Sequence, residues 1–93
     1  PTDKSYTMTL NVPFGGTITG LTSVCLSGTS TATFKINTAA ITVTANSVTS
    51  TETTQTPTGL NTFVAGDNIV VTISANSTCI DMALTVKLTY NLI

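Results

Sequence analysis

An all-β fold, an antiparallel β-sandwich of Greek-key or jelly-roll type with seven or eight strands in a single domain over residues 1–93, is what this sequence predicts. Three observations predict it. Apolar residues recur at every second position through most of the chain, the period of a half-buried strand. The alternating runs are short and are separated by clusters of Gly, Pro, Asn and Ser. No stretch carries the 3.6-residue period of an amphipathic helix.

The first strand is expected over residues 5–12, where Tyr6, Met8, Leu10 and Val12 share a face. Pro13-Phe14-Gly15-Gly16 then breaks the ladder and turns the chain. Residues 17–26 carry Ile18, then Leu21, Val24 and Leu26, and the change of phase around Gly20 predicts two short strands or one bulged strand. Ser27-Gly28-Thr29 reads as a turn, after which Ala32, Phe34 and Ile36 resume the alternation. Asn37-Thr38 makes a tight turn into a strand carrying Ile41, Val43 and Ala45. Residues 46–59 are almost all Thr, Ser, Gln and Pro, so an exposed loop is expected, framing a short edge strand near Val48. Apolar character returns over residues 60–64, and Ala65-Gly66-Asp67-Asn68 turns the chain again. The strongest alternation comes last: Ile69, Val71, Ile73 and Ala75 share one parity, and Ile80, Met82, Leu84, Val86, Leu88, Tyr90 and Leu92 share another. With the polar Asn76-Ser77-Thr78 read as a turn rather than a glycosylation acceptor, the pair predicts a β-hairpin with both apolar faces in one core.

Charged residues make up only 8 % of the chain, and threonine fills about a quarter of it. Threonine is β-branched and favours extended backbone while offering a hydroxyl to water, so this is a sheet surface solvated largely without charge. So apolar a chain leaves more greasy surface than one small domain hides, which implies a homo-oligomer or a larger assembly. Net charge is −1 with three lysines and no arginine, which excludes the electrostatic footprint of a nucleic-acid binder. No run approaches the ~18 apolar residues of a membrane span, and no basic-then-apolar leader opens the chain, so neither membrane nor signal peptide is expected. Pro1 suits a position after a removed initiator methionine, so the chain is expected to begin near its natural start.

The residues offer little chemistry. Without histidine there is no hub for a serine or cysteine triad, and two cysteines alone are too few for zinc, so no enzyme, no cofactor and no metal are expected. Asp67 and Asp81 are the only carboxylates worth pairing, and a glycosidase needs its two some ~5–10 Å apart. Their plainer roles are bonding a turn backbone for Asp67 and facing solvent for Asp81. Gly15-Gly16 precedes neither helix nor lysine and is turn glycine, not a phosphate loop. Lys35 and Lys87 fall off the apolar phase, as solvent-facing strand lysines that guard edges do. Cys25 and Cys79 also sit out of phase with their neighbours and are expected to face away from the main core. A disulfide between them would close a long loop and contribute about 4 kcal/mol, provided their strands are adjacent. Two unpaired thiols packed under loops or at a subunit contact is the plainer reading, and both stay open. Phe14, beside proline and two glycines, falls outside the core phase and is a candidate subunit anchor. The apolar end, Leu92 and Ile93, is the other candidate partner contact.

The runs Ala32-Thr33-Phe34-Lys35-Ile36-Asn37, Phe63-Val64-Ala65-Gly66-Asp67-Asn68-Ile69-Val70-Val71-Thr72-Ile73 and Ser74-Ala75-Asn76-Ser77-Thr78-Cys79-Ile80-Asp81-Met82-Ala83-Leu84-Thr85-Val86 together resemble small β-sandwich proteins encoded by tailed bacteriophages. The shared pattern is a strand ending in an Asn turn, Val-Ala-Gly-Asp before a β-branched strand, then a polar turn and an Asp before an apolar strand. Thr38 departs from it, since a glycine often follows that Asn. The resemblance covers roughly the last two-thirds of the chain and includes both capsid decoration (cement) proteins and terminal domains of tail fibres. It implies a non-enzymatic virion structural protein, commonly trimeric, located on the capsid surface with the major capsid protein as partner. The rival it implies is a trimeric receptor-binding knob that recognises a host surface glycan through the loop 48–57. A small glycan hydrolase built on Asp67 or Asp81 is a third possibility.

Overall fold

The structure, a computed structural model, describes residues 2–92 and contains nine strands and no helix among them. In chain order they are β1 (Ser5–Thr9), β2 (Gly16–Val24), β3 (Ser27–Ile36), β4 (Ala39–Ala40), β5 (Ser47–Val48), β6 (Thr53–Gln55), β7 (Thr62–Phe63), β8 (Ile69–Ile80) and β9 (Ala83–Tyr90). They form two antiparallel sheets. In the first, β8 lies between β1 and β3, and the far side of β3 carries β4 at one end and β5 further along. In the second, β2 is central, with β9 along one side and β6 and β7 end to end along the other.

Alternation explains which residues go inside. On β3 the buried positions are Ser30, Ala32, Phe34 and Ile36, and on the first half of β8 they are Ile69, Val71 and Ile73, every second residue of each. Ile18, Leu21 and Phe63 of the second sheet join them in one buried cluster, each apolar side chain removed from water contributing about 1.5–3 kcal/mol. The phase change at Gly20 is a bulge in one continuous strand. The register of β2 against β9 slips between Ile18 and Gly20, so that Ile18 before the slip and Leu21 after it both point inward.

Several expectations are corrected. The strand count is nine rather than seven or eight, because four strands of two or three residues are too short to show a period. β1 stops at Thr9; Leu10 is turned outward, and Val12 re-enters the core on its own with its amide donating to the Asp67 carbonyl at 2.9 Å. Ser27-Gly28-Thr29 is the start of β3 rather than a turn. Gly28, at φ 79°, makes a bulge where a Cβ would overlap the Thr78 carbonyl group. The strand expected through Ile41, Val43 and Ala45 shrinks to β4 and a lone bridge between Thr42 and Gly59. Residues 46–59 are not a free loop: they contain β5 and β6, and Val48 and Pro57 are buried.

The expected hairpin over residues 69–92 is also overturned. β8 and β9 belong to different sheets, and β8 runs straight through Asn76-Ser77-Thr78 to Ile80. The chain changes sheet at Asp81-Met82, with Asp81 at φ 51°. Ala75 and Thr78 sit at φ 49° and 54°, an uncommon region for residues with a Cβ, where β8 slips against β3. The slips cancel, so Cys79 faces in with the same parity as Ile69, Val71 and Ile73, and Ile80 faces out. A two-residue period specifies a strand and its inward face; it does not specify the neighbour.

Candidate interaction surface

The two sheets meet along two long sides, and the sides differ. On the side of β4, β5, β6 and β7, backbone bonds stitch the gap. Thr58 N–H donates to the Thr42 carbonyl and Thr42 N–H to the Gly59 carbonyl, both at 2.9 Å. Cys25 N–H, just after β2, reaches the Thr49 carbonyl, just after β5, again at 2.9 Å, while Ala32 N–H to the Asn46 carbonyl at 2.9 Å extends the β3–β5 ladder within the first sheet. Within the second sheet, Asn61 extends the β2–β7 pairing by bonding Ile18 twice, accepting the Ile18 amide through its carbonyl and donating its side-chain Nδ2–H to the Ile18 carbonyl, each at 2.8 Å.

On the opposite side β1 and β9 are the last strands of their sheets, and no backbone ladder joins them among the described residues. Between them lies an apolar groove of about 220 Å³. Tyr6 and Met8 of β1 form one wall, Met82 and Leu84 the other, and Val71 and Ile73 of β8 the floor. The floor is buried and both walls are only half-buried. No Asp, Glu or Lys lines it. Short polar contacts hold the β1 wall in place. The Tyr6 hydroxyl donates to the Thr2 carbonyl at 3.0 Å, and Asp3 Oδ1 accepts the Asn76 amide at 3.2 Å. Ser5 and Thr72 hydroxyls meet at 2.8 Å across the β1–β8 ladder. Along β9 the half-buried Leu84, Val86 and Leu88 alternate with exposed Ala83, Thr85, Lys87 and Thr89. β9 pairs on one edge only, so alternate backbone groups on its other edge are open, with Lys87 in mid-strand as a guard against indiscriminate pairing.

The residues singled out in the sequence fall elsewhere. Phe14 is half exposed and packs edge-on against Tyr90 at 5.8 Å, and Tyr90 in turn packs edge-on against Phe63 at 6.1 Å. Leu92 is 69 % exposed close to this aromatic row, since Asn91 N–H donates to the Gly15 carbonyl at 2.8 Å; Ile93 lies outside the described residues. Cys25 and Cys79 are both in the core, at 2 % and 1 % exposure, not facing away from it: Cys25 keeps the inward parity that Leu21 and Ser23 take after the slip at Gly20, and Cys79 keeps the parity of Ile69, Val71 and Ile73. Both are free thiols. Burial, reinforced by the neighbouring Cys25 thiol, pushes the Cys79 thiol up to about 11. The groove walls Tyr6, Met8, Met82 and Leu84 were legible only as inward-facing strand positions, with nothing local to say that their partner strand is missing.

The carboxylates are structural or apart. Asp67 Oδ2 accepts the Val64 amide at 2.9 Å and its Oδ1 accepts Asn37 Nδ2–H at 3.0 Å, bonds that hold its pKa below the usual carboxylate value. Asn37 Oδ1 accepts the Asn68 amide at 3.0 Å, and Asn68 Oδ1 accepts the Asn11 amide at 2.8 Å. This Asn/Asp chain ties the β1–β2, β3–β4 and β7–β8 connections together at one end of the molecule. Asp81 follows the other end of β8, a strand that spans roughly 40 Å at ~3.3 Å per residue. The pair is far too distant to share a glycosidic bond.

Fold and surface together define an all-β protein of two antiparallel sheets, with an apolar groove between two free edges. Among the described residues no three His, Cys, Asp or Glu side chains cluster to hold a metal ion. No family model, curated protein or solved structure matches the chain.

Proposed function

We propose that this chain is a non-enzymatic virion structural protein of a tailed bacteriophage, a capsid decoration (cement) subunit that binds coat protein and copies of itself. The two-sheet arrangement is read as a β-sandwich of Greek-key or jelly-roll type, and the assembled unit as a trimer on the capsid surface. The observation that carries this reading is the open side: an apolar groove of about 220 Å³ flanked by two strand edges with unused backbone groups. Such a site suits an extended segment or an apposed strand edge, which supplies main-chain bonds to the edge and apolar side chains to the groove. The exposed Phe14 and Leu92 add apolar surface for subunit contact. The rival glycan loop is weakened as a binding element, since Thr53–Gln55 is paired to β2 and Val48 and Pro57 are buried.

The test is cosedimentation of purified protein with capsids stripped of it. Wild type pellets with the shells, and Leu84→Asp, which sets a charge on the groove wall, loses at least tenfold in affinity while keeping its fold by circular dichroism. Protein that stays in the supernatant with capsids but pellets with host cells overturns the reading in favour of a receptor-binding knob. Native mass spectrometry checks the assembly separately: a trimer is expected at micromolar concentration.

A further inference from the structure

The cysteines supply an observation independent of the groove. Cys25 follows β2 of the second sheet and Cys79 lies near the end of β8 in the first, 54 positions along the chain. Their backbones are nevertheless held together. Leu26 N–H donates to the Ile80 carbonyl at 2.9 Å, and Ser27 pairs with Ile80 in the β3–β8 ladder. At Gly28 the two segments press so closely that a Cβ would overlap the Thr78 carbonyl group and stand 2.6 Å from the Cys79 nitrogen. The Cys25 thiol shares one buried cluster with Cys79 and donates to the Gly28 carbonyl at 3.5 Å. Both side chains are enclosed in the apolar cluster, where no acid, base or third ligand gives a thiol other work.

We propose that Cys25 and Cys79 are a disulfide-forming pair, a covalent staple between the two sheets that closes when the protein meets an oxidised thiol couple. The oxidant is a small-molecule disulfide such as oxidised glutathione. One cysteine thiolate attacks a glutathione sulfur, breaking its S–S bond and releasing one glutathione thiolate. The second cysteine thiolate then attacks the protein-bound sulfur of that mixed disulfide and expels the other glutathione. The two cysteines are oxidised to one cystine, the reagent disulfide is reduced to two thiols, and the two protons leave with those thiols. Because both sulfurs are buried, the first attack needs a local opening of the Cys25–Gly28 corner, so closure is slow at neutral pH and faster in alkaline buffer. Once closed, the bridge removes freedom from a loop of ~54 residues in the unfolded chain.

The test equilibrates the reduced, purified protein with graded ratios of oxidised to reduced glutathione. Each sample is quenched in acid, denatured, alkylated and weighed intact. The expected product is a monomer lighter by two hydrogens, with no alkylated thiol and a melting temperature raised by at least about 10 °C. A reducing agent reverses the shift, and neither Cys25→Ser nor Cys79→Ser shows it. The proposal fails if both thiols stay alkylatable at every ratio, if the end products are glutathione adducts or cross-linked dimers, or if the bridged monomer melts no higher than the reduced one. Should the serine variants not fold, the mass of the wild-type product still decides.

Discussion

The stitched side and the open side of the molecule face the same problem, a gap between two sheets, and resolve it oppositely. On the stitched side the chain spends residues 39–63 on four very short strands and on backbone bonds such as Thr42 to Gly59 and Cys25 to Thr49. Threonine is the commonest residue there, and only Ile41, Val48, Pro57 and Phe63 are buried over that stretch. On the open side two of the longer alternating segments, β1 and β9, end in unpaired edges with half-buried apolar walls between them. The difference teaches that regular alternation does not close this fold. Irregular, polar cross-connections close it, and the half-buried walls on β1 and β9 are left uncovered.

The largest expected effect breaks the stitched side. Phe34→Ala removes a buried ring packed near Leu21, Ala32 and Val43 and costs about 3–5 kcal/mol in urea unfolding. Leu84→Ala, on the half-buried open wall, costs about 1 kcal/mol in the isolated subunit, because much of that side chain already faces water. Equal losses would mean that the two sides are equally closed. Next in size is Gly16→Ala. Gly16 lies where β2 is flanked by β7 on the stitched side and β9 on the open side, and a methyl there would overlap the Thr89 carbonyl and come within 2.9 Å of the Phe63 ring. The backbone cannot yield without prising β9 from β2, so a loss of about 2–3 kcal/mol is expected, seen as a melting point lower by roughly 10–20 °C.

A smaller effect sharpens the comparison through pH. Cys25 N–H is one of the stitches, and Cys79, packed beside it, has a thiol pushed up to about 11 from the ordinary 9.0. An acid whose folded pKa is raised stabilises fully below its ordinary value and loses that contribution as pH climbs through the folded value. Reduced wild type should therefore lose on the order of 2 kcal/mol between about pH 9 and 11 beyond whatever Cys79→Ala loses over the same window. Parallel slopes for the two proteins in alkaline denaturation would show that Cys79 is not enclosed.

How much of this was legible follows from what alternation encodes. The inward faces of β3 and of the first half of β8 were readable because Ala32, Phe34, Ile36, Ile69, Val71 and Ile73 keep phase without interruption. The bulge at Gly20 was readable because glycine marks it. The slips at Ala75 and Thr78 carry no such mark, since an alanine and a threonine hold positive φ there under tertiary constraint; the polar Asn76-Ser77-Thr78 between them looked like a turn, which broke the parity that runs from Ile69 to Cys79 and produced the supposed hairpin. The groove was hidden for a different reason. Met8 and Leu84 look like ordinary core positions, and only the sheet order reveals that no strand covers them.

The smallest expected effect belongs to the end where both sides are tied off. Asp67 is solvent-exposed at its carboxylate, yet that group accepts the Val64 amide and the Asn37 side chain, and these two bonds lower its pKa, with slight burial opposing them. A lowered carboxylate stabilises above its ordinary value of 3.8 and loses that contribution as pH falls through the folded value. Asp67→Asn keeps the size of the side chain but presents an amide N–H where a donor already points, so one of the two bonds is lost at neutral pH. The melting-point gap between wild type and Asp67→Asn should be present at about pH 7, begin to narrow below about pH 4, and close once the wild-type carboxyl is protonated. A gap that stays constant down to the acid transition would mean that the carboxylate's charge is idle there, and that the connections around Asn11, Asn37 and Asn68 are held by the asparagine and backbone bonds alone.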